Sequence, residues 1–471
     1  MMDKNYNRRK FLQTSALAGL GLTTVSASGN ENVSGRTGII SDPVQTSRKS
    51  PRSSKLHIGF IGVGLRGRDH MDLVLRRDDC EVICIADPDA AAIQAGIRLC
   101  QSYGKSAPAA YGEGNYDYLN LLEKEDIDAV IISSPWMWHT QQSVAGMNKG
   151  LYVGCEVSGA FSLEECWELV NTHEDTGAHY FFLENANYRR DLLAVLDMVR
   201  KDLFGEIIHL ECGYQHDLRN VKFNDGKTVY SRGTEFGETA LSEARWRTNH
   251  SLHRNGDLYP THGVGPVMNY IDINRGNRFT HLVSMSTKPR GLSAYVRDVG
   301  GENHPNAKLD WKLGDVVTTL IQCNNGEKVL VSHDTNLPRP YCLGFRVQGT
   351  KGIWMDVNQS VHIEGKSPYH GWDDQEKWFE KYDHPLWRKY NDLASGEGHG
   401  GQDWFIINAF VECAKQNIAP PIDVYDAAVM RAITPMSENS IALGSAPVTF
   451  PDFTRGRWSV KKPDFGLDDR Y

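Results

Sequence analysis

The sequence predicts an α/β fold whose first domain is a doubly wound parallel sheet. Three observations predict it. From Leu56 onward, short apolar runs alternate with amphipathic stretches at the spacing of strand–helix units. The first run, His57–Ile61, leads into Gly62-Val63-Gly64-Leu65-Arg66-Gly67, a G-x-G-x-x-G loop that opens a helical stretch. The second run, Glu81–Ala86, ends at an acidic residue, Asp87, twenty positions beyond Gly67.

Each element follows from its own chemistry. Gly62 and Gly64 permit a tight turn and a close approach of backbone to a pyrophosphate, and the helix that follows offers N–H groups and partial positive charge to that anion. A carboxylate at Asp87 accepts hydrogen bonds from ribose hydroxyls and repels a 2′-phosphate, so NAD is expected over NADP. Helices are expected over 69–77, 90–103, 116–125, 140–149 and 163–176. Strands are expected over 128–133, 151–156 and 179–184. Ligands of such a sheet lie beyond the carboxyl ends of its strands. Those ends hold Gly62–Arg66, Asp87, Trp136-Met137-Trp138-His139, Glu156-Val157 and Asn185.

The later half reads as a second α/β segment. A strand from Glu206 ends at Tyr214, His216 and Asp217. Downstream come Arg247 and Tyr259-Pro260-Thr261-His262, with Pro260 suited to the first turn of a helix. Tyr259 and His262 share a face of that turn, and form either a proton-transfer pair or a core hydrogen bond. His333-Asp334 ends another strand and reads as a solvated loop, and the segment 372–387 as an insertion packing its own tryptophans rather than a sugar platform. Residues 402–415 and 424–438 read as amphipathic helices.

Composition bounds the rest. Hydrophobic residues make up 40% and charged residues 23% of 471, the balance of a globular chain. No apolar run is long enough to span a bilayer as a helix, so an integral membrane protein is not expected. A net charge of −8 argues against nucleic acid as a partner. The nine cysteines include no Cys-x-x-Cys pair and read as buried thiols, and no metal-site spacing is present. Residues 1–30 have a basic head, a short apolar middle and a small-residue end, the pattern of a signal peptide. Arg8-Arg9 followed by Phe11-Leu12 resembles a twin-arginine signal, which implies export by the twin-arginine machinery to the periplasm or beyond. Residues 31–55 read as a disordered linker, 56–185 as the dinucleotide-binding domain and 186–471 as a substrate domain.

The order of elements resembles the Gfo/Idh/MocA oxidoreductases. That resemblance implies a Rossmann domain followed by an α/β domain with an open, mostly antiparallel sheet that covers the nicotinamide and can serve self-association into a homo-oligomer. Dehydrogenases of that superfamily carry Glu-Lys-Pro where this chain reads Glu156-Val157-Ser158, so the proton-moving lysine is replaced by valine. The twin-arginine start, Gly64-Leu65-Arg66-Gly67, Trp136–His139, Glu156-Val157, Tyr259–His262 and Gly398–Asp403 together resemble glycoside hydrolase family 109 within that superfamily. The resemblance implies an α-N-acetylgalactosaminidase with tightly held NAD, acting on glycans ending in GalNAc. It implies that Leu65, Arg66, Asp87, Trp136, Met137, Trp138, His139, Glu156, Val157, Asn185 and Tyr259 line the NAD. It also implies that Tyr214, Arg247, Tyr259, Pro260, Thr261, His262 and Tyr341 meet the sugar. Tyr259 and His262 are then candidates for the 3-hydroxyl proton and Tyr214 for the carbon 2 proton.

The chemistry is coherent with those residues. Most glycosidases use two carboxylates, and no such pair stands out here. A redox route needs none: transient oxidation at carbon 3 acidifies the carbon 2 proton, elimination expels the leaving group, water adds and re-reduction follows. Tyrosine has an ordinary pKa near 10, so Tyr214 needs a cationic or hydrogen-bonding neighbour to act as base. Two other readings keep the fold: a periplasmic sugar oxidoreductase of the glucose–fructose oxidoreductase type, and a sugar-binding protein that retains NAD as a structural ligand.

Overall fold

The computed structural model describes residues 54–471. The expected signal peptide, and the 31–55 linker apart from its last two residues, lie outside the described residues.

The first sheet has six strands: β1 (Leu56–Ile61), β2 (Cys80–Ala86), β3 (Ala109–Tyr111), β4 (Ala129–Ile132), β5 (Tyr152–Cys155) and β6 (Tyr180–Phe182). Their order is β3-β2-β1-β4-β5-β6 and every pairing is parallel. This is the doubly wound Rossmann order, whose ligand crevice opens between β1 and β4, where the winding reverses. Helices cover both faces, so β4 and β5 are buried along their whole length and read as continuous apolar runs. The edge strand β3 was not foreseen, because three half-exposed residues carry no readable period. The helix after β1 runs Leu65–Leu75, beginning earlier than expected. Its Gly67 packs where a Cβ would lie 2.0 Å from the Gly62 carbonyl oxygen, so a residue that ordinarily weakens a helix is here required inside one.

The second sheet has nine strands. In chain order they are β7 (Ile207–Gln215), β8 (Phe279–Ser286), β9 (Val316–Cys323), β10 (Lys328–Asp334), β11 (Arg346–Gly349), β12 (Gly352–Met355), β13 (Ser360–Ile363), β14 (Asp373–Asp374) and β15 (Val448–Thr449). The order is β14-β13-β12-β11-β7-β10-β9-β8-β15. Among the described residues β7 and β10 pair in parallel and the other pairings are antiparallel, as expected of this sheet. One face alternates into the core, for example Val317, Thr319, Ile321 and Cys323 of β9. Helices Thr261–Tyr270 and Val424–Ala442 pack there. The other face leaves Leu320 and Met285 exposed.

Two late helices return to the first sheet. Helix Gln402–Gln416 sets Phe410 against Gly154 of β5, where a Cβ would come within 2.7 Å of the ring. Helix Val424–Ala442 begins at a capping box made by Asp423 and Asp426 and packs on helix Leu163–Thr176. All nine cysteines are free thiols, and all but Cys342 are buried.

Candidate active site

The phosphate-type loop has the shape its glycines require. Gly62 sits at φ +84°, and a Cβ on it would meet the Ser134 amide nitrogen at 2.5 Å. A Cβ on Gly64 would meet nothing within 4 Å, so the backbone there faces open space. No side chain caps helix Leu65–Leu75, so its leading amides point toward that space. Beside it, Asp87 is fixed by two backbone donors, Val63 N–H (2.9 Å) and Asp89 N–H (2.9 Å). Burial raises the Asp87 carboxyl above its ordinary value, and those two amides oppose the rise. An open glycine, unused helix amides and an acidic strand end form a cradle that fits a dinucleotide.

The loop opens into a cleft of about 1070 Å³. Gly62, Gly64, Leu65, Arg66, Asp87, Trp136, Met137, Trp138, His139, Glu156, Val157, Asn185, Tyr214, Arg247, Tyr259 and His262 all line it. Tyr341 stands apart on the lip of an adjoining cavity, half exposed, with its ring edge-on to His216 at 4.9 Å. Pro260 and Thr261 are buried and line neither space, so the expectation that they touch a ligand gains no geometric support.

Buried polar contacts order the cleft wall. His139 is wedged between the Ser134 carbonyl (2.7 Å) and Ser158 Oγ (3.1 Å), and burial lowers its pKa to about 4, so the ring is neutral. Glu156, at the end of β5, accepts from Arg66 Nε (2.6 Å), His70 Nε2 (2.6 Å) and Val157 N–H (2.9 Å). Burial works against its charge, yet Arg66 and His70 hold the carboxyl well below the ordinary carboxylate range. Arg66 also makes a two-pronged bond to Asp403, at 2.7 and 2.9 Å. Asp403 in turn accepts from Asn185 Nδ2 (2.6 Å) and pairs with His399 Nδ1 (2.5 Å). The Gly398–Asp403 segment, noted in the sequence as a motif, thus ties together two expected cofactor residues, Arg66 and Asn185.

At the other end of the cleft, three aromatic side chains converge. Tyr214 ends β7, and its ring lies 4.3 Å from Tyr259 and 5.6 Å from His262. The Tyr259 hydroxyl is 3.3 Å from His262 Nε2, and His262 Nδ1 is 2.6 Å from Glu184 Oε1. Glu184 was not singled out in the sequence. It is fully buried at the carboxyl end of the β6 region, directly before Asn185, and its Oε2 has no partner among the described residues. Its position at a strand end was the available signal. The Tyr259–His262 pair is therefore no isolated core hydrogen bond but the outer part of a Tyr–His–Glu chain facing the cleft.

Arg247 is a cation that acts on Tyr214. Its guanidinium lies over the rings of Trp136 (4.9 Å) and Tyr259 (5.2 Å) and is anchored by Glu243 Oε1 (2.6 Å). Burial raises the hydroxyls of Tyr214 and Tyr259 above 10, and the charge of Arg247 pulls both back. The Tyr214 hydroxyl also lies 3.3 Å from His216 Nδ1, and burial keeps that imidazole below its ordinary value. Val157 is buried and lines the same cleft.

One expectation needs correction. His333 and Asp334 are buried, not in a solvated loop, because β10 continues through them and Arg339 pairs with Asp334 at 2.8 Å. In the tryptophan-rich segment, Trp378 and Trp387 are buried, while Glu376 and Phe379 of the same segment line the adjoining cavity.

Comparison with known proteins agrees with this architecture. Residues 188–460 match the family model for the glycosyl hydrolase 109 C-terminal domain, and residues 56–183 match the oxidoreductase family NAD-binding Rossmann fold. A glycosyl hydrolase family 109 protein of Parabacteroides distasonis is 48% identical over 98% of this chain and 99% of its own. An alpha-N-acetylgalactosaminidase of Tannerella forsythia is 47% identical over 98% and 99%. A solved levoglucosan dehydrogenase, in complex with NADH and L-sorbose, superposes with a TM-score of 0.61 over 85% of this chain and 100% of its own. At 17% identity that likeness concerns the fold alone. With matched models on both halves and relatives near 50% identity along almost its whole length, the chain belongs to glycosyl hydrolase family 109 and carries an NAD-binding Rossmann domain.

Proposed function

We propose that the protein is an exported glycosidase that removes terminal α-linked N-acetylgalactosamine by transient oxidation at carbon 3, elimination, addition of water and re-reduction. The observation that carries this reading is the cluster of Tyr214, Tyr259 and His262 at the end of a dinucleotide cleft, with Val157 where a dehydrogenase would hold lysine. The relative named alpha-N-acetylgalactosaminidase supports the choice of sugar.

The 62–66 loop, Asp87, Trp136–His139, Glu156, Val157 and Asn185 would hold NAD. When bound, NAD supplies reversible oxidation of a secondary hydroxyl. The remaining work falls to side chains. Tyr259 takes up the 3-hydroxyl proton and relays it to His262, whose far nitrogen Glu184 orients at 2.6 Å. Tyr214 handles the carbon 2 proton: burial raises its hydroxyl, Arg247 offsets part of that cost, and His216 Nδ1 lies 3.3 Å from the same oxygen. Arg247 flanks the sugar, and Tyr341 stands on its outward side at the lip of the adjoining cavity. A ketone at carbon 3 acidifies the adjacent C–H, so a phenolate suffices where a stronger base would otherwise be needed.

The reading extends to the rest of the chain. Residues 1–30 act as the twin-arginine signal, 31–55 as a linker, 56–185 as the cofactor domain and 186–471 as the substrate domain. The uncovered sheet face with Met285 and Leu320 supports self-association as a homo-oligomer. Among the described residues no helix is long and apolar enough to cross a membrane.

The test uses purified protein with no added cofactor and 4-nitrophenyl α-N-acetylgalactosaminide in deuterated water. Nitrophenol release with deuterium at carbon 2 of the product is expected. Release without deuterium would reject the elimination route, and no release with net sugar oxidation would reject the hydrolase class.

A further inference from the structure

A second cavity, of about 1470 Å³, adjoins the cofactor cleft and shares Tyr214, His216, His262 and His399 with it. It exceeds the roughly 300–1,000 Å³ that holds a drug-sized ligand. A sugar held by Tyr214 and His262 therefore has a large space on its outward side.

The wall has a distinctive charge pattern. It carries five carboxylates and three guanidiniums. Each guanidinium is occupied by a neighbour: Arg189 by Asp191 (2.5 Å), Arg190 by Asp383 (2.8 Å) and Arg339 by Asp334 (2.8 Å). Glu376 and Glu380 lie one turn apart on helix Gln375–Tyr382, and Asp356 faces the same space. Among the described residues none of these three lies within ion-pair distance of a cation, and Arg189 and Arg190 act on Asp356 and Glu376 only at longer range. Gln402 adds a buried Oε1 that has no hydrogen-bond partner among the described residues. Acceptors are thus in excess, while Tyr341 and Phe379 supply aromatic faces. Hydroxyl-rich rings satisfy both features, since they donate to carboxylates and stack on aromatics.

We propose that this cavity is the leaving-group site. It holds the neutral sugars to which the terminal residue is joined, and its unpaired carboxylates select against glycans bearing sialic acid or sulfate. The inference rests on the glycosidase reading and deepens it. An anionic chain would meet like charge, whose cost is weakened by salt.

The experiment compares the wild type with the double variant Glu376→Gln, Glu380→Gln on four substrates. These are the 4-nitrophenyl glycoside, a neutral trisaccharide with terminal α-GalNAc, the same trisaccharide sulfated on an inner sugar, and a short α-GalNAc-threonine peptide. The wild type should prefer the neutral over the sulfated trisaccharide by about tenfold or more in kcat/KM, with the gap closing at 0.5 M salt. The variant should raise KM for the neutral trisaccharide about tenfold, narrow the discrimination, and leave the nitrophenyl glycoside within twofold. Equal effects on the trisaccharide and the nitrophenyl glycoside would overturn the proposal. So would a preference for the peptide that the variant abolishes, which would assign the cavity to polypeptide. If the nitrophenyl glycoside is not cleaved at all, the activity reading fails. Calorimetric titration of the neutral trisaccharide into NAD-loaded protein then decides the cavity separately, and absence of binding overturns it.

Discussion

Replacing Asp403 by asparagine should release bound NAD while leaving the fold in place. Asp403 is 1% exposed and receives Arg66 through two bonds, Asn185 through one and His399 through one. The amide keeps the shape but removes the charge, and its NH₂ replaces an acceptor with a donor that faces other donors. Hydrogen bonds to charged groups contribute about 1.5–3 kcal/mol net, and breaking a buried pair costs about 3–5 kcal/mol. Arg66 is partly exposed and keeps its 2.6 Å bond to Glu156, so a loss of about 2–3 kcal/mol is expected. If half of that appears as misplacement of Arg66 and Asn185, the NAD dissociation constant rises roughly tenfold. The assay is NAD content per protomer after purification without cofactor, with the dissociation rate followed by nicotinamide release. The variant should purify with substoichiometric NAD, regain activity at saturating NAD, and keep the wild-type circular dichroism. Arg66 and His399 hold the Asp403 carboxyl far below its ordinary value, so its contribution is complete above about pH 4 and is lost as pH falls below that. The variant should therefore lose less stability than the wild type on acidification. Wild-type NAD content together with a wild-type dissociation rate would refute the role assigned to this network.

Four further outcomes are expected. Gly64→Ala meets no protein atom within 4 Å, so the melting temperature of NAD-free protein should be unchanged while NAD retention falls; unchanged retention would mean that the space above Gly64 is not the cofactor's. Glu184→Gln leaves His262 without its anionic partner and should lower kcat roughly 10²–10⁴-fold with NAD still bound, as single-turnover kinetics would show. Asp257 is fully buried with Oδ2 unpartnered among the described residues, and burial raises its pKa to about 7. Its ionisation thus costs nothing below about pH 4 and costs in full above about pH 7, on the order of 4 kcal/mol. Asp257→Asn should then stabilise the protein at pH 8 but not at pH 4, and an equal shift in melting temperature at both would contradict this. Changing Arg8 and Arg9 to lysine should retain the full-length protein in the cytoplasm, and undiminished export would exclude the twin-arginine route.

The Rossmann half was legible because its signals are local. The apolar runs, the glycine loop and the acid after β2 each follow from a few adjacent residues, and strand ends of a parallel sheet converge by topology. Every residue expected to line the cofactor does line one cleft. Asp403 and Glu184 were harder. Asp403 reaches Arg66 across 337 positions of sequence, and Glu184 meets His262 across 78. No local pattern encodes such partners. The Asp334 region misled for a related reason: a polar pair at a strand end reads as solvent-facing until an arginine five residues later turns back to cover it.

By itself, then, the sequence determined the fold class, the NAD-binding half and the family, because these rest on backbone conformation and residue identity within short windows. Tertiary structure alone decided which charged and polar groups stand beside one another. Arg247 became the cation of Tyr214, Glu184 the support of His262, and Asp403 the clasp on Arg66 only when distant segments came within hydrogen-bond range in a site largely shielded from water. At that range and in low dielectric a neighbour shifts a group's ionisation, whereas distant charges in the extended chain are screened by solvent.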